Sequence, residues 1–389
     1  MTEVQTPPLA AESPVSTSTL PNQPSPGIGL CLSGGGYRAM LFHVGAIWRL
    51  NEFGYLPKLE RISSVSGGSI TAGVLGSRWS ALEFNASGVA QNLQEVFVKP
   101  LRAFGSVTVD VWAILGGIFL PGTIGDRVAK AYRKHLFGAA TLQALPDRPR
   151  FVINATNVQS GVLCRFSKPY MWDYRVGQIK SPTIELASAV AASSAFPPVL
   201  SPMQLKLSPA MFTAGTGTDL EMEPYTSKMM LTDGGVYDNL GLETVWKEYD
   251  TVLVSDAGGG MSAQPKPKTN WLLHTVRILN VIDNQVRSLR KRQVVNSFID
   301  GERKGTYWGI RSDIANFDLG NALPCPSSQT LQIANFATRL KAMDRLDQER
   351  LINWGYSVCD AAMRRHVDPE LAPPIGFPYP ETGVGAEGL

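Results

Sequence analysis

The sequence predicts an α/β fold: a mostly parallel central sheet with helices on both faces, a helical insertion and a helical C-terminal part. Three observations lead there. Residues 28–32 form an apolar run that stops at Ser33-Gly34-Gly35-Gly36, and a helical pattern follows over about 38–53. A second strand, 61–65, stops at Ser66-Gly67-Gly68 and gives way to another helix that reaches about Trp79. Two later strands, 229–232 and 251–255, each run into an aspartate followed closely by glycine. Strand, glycine turn and helix in succession mark consecutive units of a parallel sheet.

The remaining elements follow in chain order. The helix at 38–53 is apolar on nearly every face, with only Arg38, Arg49 and Glu52 charged, so it is expected to be buried. Gly54 is placed to end it in a left-handed cap. Residues 81–149 read as a mostly helical insertion with a basic amphipathic piece at 126–137. Strand patterns return at 151–155 and 161–166. A helix of small residues, 183–194, stops before Phe196-Pro197-Pro198. A long helix at 270–300, a strand near 306–310 and helices to about 365 complete the chain. The organisation expected is a catalytic core at 28–260 with a C-terminal helical part, 261–368, packed on it. Residues 1–27 and 369–389 flank the two.

Composition narrows the function classes. The 389 residues carry 36 Lys+Arg against 33 Asp+Glu, a net charge of +3, which gives no global electrostatic case for nucleic acid as partner. Four scattered cysteines form no C-x-x-C pair and fit buried reduced thiols. Residues 1–27 hold six prolines, eight Ser/Thr and no Lys or Arg, the pattern of a disordered lead-in without an export signal. A cytoplasmic location is the expectation. The tail at 369–389, rich in Pro and Gly, reads as extended and loosely packed. The most apolar run, 111–120, is only ten residues long, half of what a spanning helix needs (about 20). It reads as buried core or as an apolar cap over a lipid site.

Sites in open parallel sheets form at the carboxyl ends of strands. Three such ends carry candidate chemistry here. Ser64-Val65-Ser66-Gly67-Gly68 has the small residues that let a chain turn sharply and expose the Ser66 hydroxyl, with helix amides beside it. Gly34-Gly35-Gly36 lets backbone amides approach a ligand. It lacks the G-K-[ST] of a P-loop and the G-x-G-x-x-G of a dinucleotide fold, which leaves an oxyanion hole. Arg38 either adds positive charge there, locks the loop, or forms a structural salt bridge. Asp233, in Asp233-Gly234-Gly235, is the acid placed to reach a serine on another strand. Asp256 is its rival and Asp238 a weaker one.

These three pieces in this order resemble the patatin-like phospholipase family, marked by G-G-G-x-[RK]-G, a G-x-S-x-G elbow about thirty residues on, and D-G-[GA]. The resemblance covers about 28–260 and departs twice, at Ser64 and at Ala39, where the family has glycine. It implies a Ser–Asp dyad: Ser66 as nucleophile, Asp233 as base and Gly34, Gly35 and Gly36 as oxyanion hole. Arg38, Gly67, Gly68 and Gly234 support them. It implies a phospholipase A or lysophospholipase activity on a phospholipid or lysophospholipid, with peripheral membrane contact and no cofactor. The basic run Arg287-Ser288-Leu289-Arg290-Lys291-Arg292 could meet anionic headgroups or be a solvated face. Of the four histidines, His43 reads as structural and His135, His274 and His366 as surface residues, and no metal-site motif is present. The alternatives are a serine esterase or thioesterase on small acyl substrates, and a non-catalytic member that binds lipid or a partner.

Overall fold

The computed structural model describes residues 24–109, 124–197, 200–261 and 263–385. Its centre is five parallel strands in the order β10-β9-β1-β2-β3. These are β1 (Ser25–Leu32), β2 (Leu59–Val65), β3 (Arg150–Asn157), β9 (Tyr249–Asp256) and β10 (Lys304–Gly309). Beyond β3 the sheet turns antiparallel, through β4 (Val162–Phe166), β5 (Tyr170–Asp173) and β6 (Gly177–Lys180). β8 (Lys228–Asp233) also pairs with β3, and β7 (Met203–Lys206) pairs with β8. The parallel centre is the predicted one. Strands β5, β6 and β7, four residues each, are too short for an alternating pattern to declare itself.

Alternation along the central strands puts apolar side chains on both faces. Leu30 and Leu32 of β1 and Leu253 of β9 belong to the larger core. Cys31, Val252 and Val254, which point the other way, belong to a smaller one. The large core is closed by α1 (Gly36–Glu52), α2 (Gly67–Ser77), α5 (Leu186–Ser193) and α10 (Arg345–His366). The small one is closed by α7 (Glu243–Trp246) and by Val294 of α8 (Trp271–Ile299). The insertion supplies α3 (Lys99–Gly105) and α4 (Ile124–Tyr132), and the remaining helices are α6 (Gly235–Asp238) and α9 (Ser327–Ala334). The apolar run at 111–120 lies outside the described residues.

The C-terminal part is built into the core. β10 is a strand of the sheet, and α10 packs along α1, where Arg49 Nε donates to the buried Asp360 at 2.9 Å. The tail is irregular but held. Asn353 Nδ2 donates to the carbonyls of Tyr379 and Gly383, Thr382 donates to Glu349, and Val384 is buried. Ser25 to Gly27 already belong to β1, so the strand begins earlier than its apolar run. All four cysteines are buried and unpaired. Among the described residues no helix is long and apolar enough to cross a membrane.

Candidate active site

One edge of β3 brings the two key strand ends together. β2 runs parallel to β3 as far as Val65, opposite Asn154. From the next residue the same edge is taken by β8, running the opposite way, with Asp233 opposite Ala155. The other edge of β3 belongs to β4. Two strands therefore approach head to head along β3 and end at Ser66 and Asp233. Residues 167 positions apart in sequence meet because β3 pairs with both strands.

Ser66 sits at a strained turn. Its φ of 53° and ψ of −119° are outside the regions open to ordinary L-residues, at a cost of about 1–3 kcal/mol. A serine network offsets this. Ser66 N–H donates to Ser193 Oγ at 3.0 Å, and Ser193 Oγ donates to the Asn154 carbonyl at 2.6 Å. Ser69 Oγ lies 2.9 Å from Ser193 Oγ and donates to Ser64 Oγ at 3.0 Å. Ser64, where the family motif has glycine, thus has a hydrogen-bonding role in the turn. None of these bonds engages the Ser66 hydroxyl.

The first glycine loop presses directly on this turn. A Cβ on Gly67 would overlap the Gly36 carbonyl oxygen, and one on Gly34 would stand 3.1 Å from Ser66 Cβ while overlapping Asn239 Oδ1. Gly67→Ala is accordingly expected to lower stability by about 3 kcal/mol, because backbone must move. A thermal midpoint equal to that of the parent would show that the contact yields cheaply. Gly34 N–H already donates to the Asn239 carbonyl at 3.1 Å. The amides of Gly35 and Gly36 are the two in the loop without an acceptor among the described residues. The backbone of Arg339 crosses this loop and accepts a hydrogen bond from Tyr37 N–H at 3.0 Å.

Asp233 is buried, and burial pushes its carboxyl up to about 7. Gly235 N–H, donating to Oδ1 at 2.7 Å, and the Ser66 hydroxyl both favour the charged form, while the Asp283 carboxylate opposes it. Oδ2 takes no hydrogen bond of full geometry, so the Ser66 contact is loose. Such bonds are often long in unliganded sites and tighten with substrate. The backbone of Asp233 is fixed: its N–H donates to the Ala195 carbonyl at 3.0 Å and its carbonyl accepts from Thr156 Oγ1 at 2.9 Å. Gly234 packs closely on the Asn154 carbonyl.

The rival acids are spoken for. Asp256 accepts from Gly258 N–H at 2.8 Å and from Tyr307 Oη at 2.7 Å. Asp238 accepts from Leu240 and Glu243 N–H at the start of α7. His43 is fully buried, with Nε2 on the Ser33 carbonyl at 2.9 Å and Nδ1 on Ser255 Oγ at 2.8 Å. Burial lowers it to about 4, and with both nitrogens committed it braces β1 against β9 as a neutral ring. Arg38 forms no salt bridge among the described residues. Its guanidinium donates to the carbonyls of Ala257 at 3.0 Å and Phe336 at 2.6 Å, which ties the glycine loop to its neighbours.

The basic run on α8 largely faces the body of the protein. Arg287 donates to the Gly259 carbonyl, Arg290 pairs with Glu243 at 3.3 Å, and Lys291 lies 4.5 Å from the centroid of the Tyr307 ring. Arg292 is exposed. Sequence reasoning did not pick out Ser193 and Asn239, which hold the turn and the loop. Their only signal is a position in a run of small residues and one just after the aspartate block.

Among solved structures the chain is similar to human GIVD cytosolic phospholipase A2, at 13% identity and a TM-score of 0.47, covering 85% of this chain and 60% of that one. The same human protein in complex with methyl gamma-linolenyl fluorophosphonate gives 13% and 0.49, with 86% and 57% covered. VipD from Legionella pneumophila gives 15% and 0.31, with 86% and 66% covered. The chain thus spans about three-fifths of the length of the human structures. No curated protein matches it. The patatin-like phospholipase model matches residues 30–246, more than half of the sequence and the whole stretch from the glycine loop through Ser66 to Asp233, and the chain belongs to that family.

Proposed function

We propose that the protein is a lipid acyl hydrolase of the phospholipase A or lysophospholipase type, working through a Ser66–Asp233 dyad. The observation that carries this reading is the Asp233 carboxyl: buried, interacting with the Ser66 hydroxyl, with Oδ2 left without a hydrogen bond, and near a loop with two amides that have no acceptor among the described residues. A carboxylate raised to about 7 is a far stronger base than an ordinary one and is still half ionised at neutral pH.

The chemistry follows in balanced steps. Ser66 Oγ attacks the ester carbonyl carbon as its proton passes to Asp233 Oδ2. The carbonyl oxygen becomes an oxyanion facing the amides of Gly35 and Gly36. Collapse breaks the acyl–oxygen bond, and the Asp233 proton goes to the departing alcohol. Asp233 then takes a proton from water as the water attacks the acyl-Ser66 ester, and returns it to Ser66 Oγ as the fatty acid leaves. No metal or cofactor enters the scheme. Fatty-acid release from phosphatidylcholine vesicles, compared with turnover of short soluble esters, separates this reading from that of a small-ester esterase.

A substrate in a bilayer requires contact with its surface. On α8, Trp271, Ile278, Ile282 and Leu289 recur at intervals of seven, four and seven, which places them in one narrow stripe. Their exposures are 76%, 45%, 53% and 54%. Exposed Lys266 and Lys268 precede the helix. An apolar stripe beside basic residues suits peripheral seating in a headgroup layer. Substituting Asp at both Ile278 and Ile282 is expected to cut the fraction that sediments with phosphatidylcholine/phosphatidylglycerol vesicles at least about fivefold. Equal sedimentation would move the contact to another face.

A further inference from the structure

β9, like β1, ends in glycines, and no role in the dyad falls to that loop. Each of Gly258, Gly259 and Gly260 has an arginine against it. A Cβ on Gly258 would overlap Arg287 Nη1, one on Gly259 would lie 3.2 Å from Arg38 Nη2, and one on Gly260 would lie 2.8 Å from the Arg311 guanidinium. Arg287, Arg311 and Lys291 wall a cavity of about 140 Å³ at the carboxyl ends of β9 and β10.

The protein answers the positive charge there only in part, through the Asp256 and Asp283 carboxylates and without an ion pair. Among the described residues neither Arg38, Arg287, Lys291 nor Arg311 makes a salt bridge, whereas Arg290 on the same helix pairs with Glu243 at 3.3 Å. The guanidiniums rest on neutral acceptors: Arg38 on carbonyls, Arg287 on the Gly259 carbonyl and Arg311 on Asn335 Oδ1 at 3.1 Å. Asp256, the acid lining the cavity, has both oxygens bonded to Gly258 N–H and Tyr307 Oη. Asp283, one turn before Arg287 on α8, feels its charge without bonding to it. The crowding has a cost. Burial, with the like charges of Arg287 and Arg311, lowers the Arg38 guanidinium to about 10 against the opposing pull of the Asp256 carboxylate.

We propose that this cradle binds a phosphate group, carried by the headgroup of a lipid substrate or by a soluble phosphorylated ligand. Guanidinium forks match the oxygens of a tetrahedral anion, and charge-assisted bonds to them are roughly twice as strong as neutral ones. The cavity is smaller than the roughly 300–1,000 Å³ of a site for a drug-sized organic ligand, which favours a single small anionic group. It also adjoins the catalytic rim. Ala257, just before the glycines, accepts from Arg38 through its carbonyl and donates to Ser33 Oγ at 2.7 Å through its N–H. Assignment of the phosphate to a substrate headgroup rests on the acyl-hydrolase reading; the existence of the site does not.

The test is calorimetric titration of the full chain with inorganic phosphate, against chloride at equal ionic strength. It is run on the parent, on Lys291→Gln combined with Arg311→Gln, and on Arg311→Lys. The parent is expected to bind phosphate, the double variant at least about tenfold more weakly, and Arg311→Lys in between, since a point charge replaces a fork. Lys291 and Arg311 are exposed, so both variants should fold. No phosphate heat beyond that of chloride, or equal binding by the double variant, overturns the site. Competition by phosphate against fatty-acid release from phosphatidylcholine vesicles identifies the headgroup as the source. Binding without such competition identifies a soluble phosphorylated ligand. Binding in a protein that hydrolyses no ester upholds the site and removes the hydrolase reading, while hydrolysis without binding removes the site alone.

Discussion

Replacing Ser66 by alanine lowers kcat for fatty-acid release by about 10⁴-fold or more, with the fold intact. The size follows from the proposed role. Without Oγ there is no acyl-enzyme, and only water positioned near the glycine amides remains to attack the ester. The fold should survive because the turn is held by other atoms: the Ser66 N–H on Ser193, and the hydroxyls of Ser64, Ser69 and Ser193. Alanine keeps a Cβ at a φ of 53°, so the strain is retained and the thermal midpoint should stay close to the parent's. Rates from phosphatidylcholine vesicles and from a short ester, with fluorophosphonate labelling followed by peptide mapping, check this. Label on a residue other than Ser66, or activity kept by the alanine variant, would sink the dyad.

The sequence made the parallel centre and the three strand ends legible for a physical reason. Central parallel strands are buried on both faces, so β1 and β9 stand out as short apolar stretches, whereas β2, LERISSV, is marked mainly by the Ser-Gly-Gly turn that ends it. Glycines at their ends mark where backbone must pass close to backbone. The pairing of β8 with β3 was not legible. It depends on an antiparallel excursion through β4 to β7 whose last three strands are four residues each. Proximity of Ser66 and Asp233 was therefore an expectation drawn from motif order, and the register along β3 supplies its geometry. Charge was the least legible quantity. Arg287, Arg290 and Lys291 form one basic run in sequence, yet each has a different partner on the body, and the cationic cradle draws Arg38 and Arg311 from distant segments. A strand near 306–310 and a C-terminal part packed on the core were legible, but not that β10 extends the parallel sheet beside β9, since both strands lie beyond the family match.

Asp233→Asn separates the base from a merely structural acid because catalysis and stability should move in opposite directions. Catalysis needs the ionised form. For the parent, kcat/KM on a soluble ester is expected to fall tenfold per pH unit below about 7, the value to which burial raises Asp233. Asparagine accepts no proton, so the variant should lose about 10³-fold and show no such limb. Stability runs the other way. Between about pH 4 and 7 the folded protein holds a proton on Asp233 that the unfolded chain has released, so this group's contribution declines as pH rises and is gone above 7. A rise from 3.8 to about 7 corresponds to at most about 4 kcal/mol carried by the buried charge at alkaline pH. The neutral variant escapes that cost, and at pH 8 it should melt higher than the parent, with the difference shrinking towards pH 4. Asp256→Asn gives the contrast: its carboxylate is bonded to Tyr307 and Gly258, so losing it should weaken the fold and leave the acidic limb in place. If the limb instead vanished in Asp256→Asn and survived in Asp233→Asn, the base would sit at the end of β9, two strands from Ser66, and the head-to-head meeting of β2 and β8 would serve the fold alone.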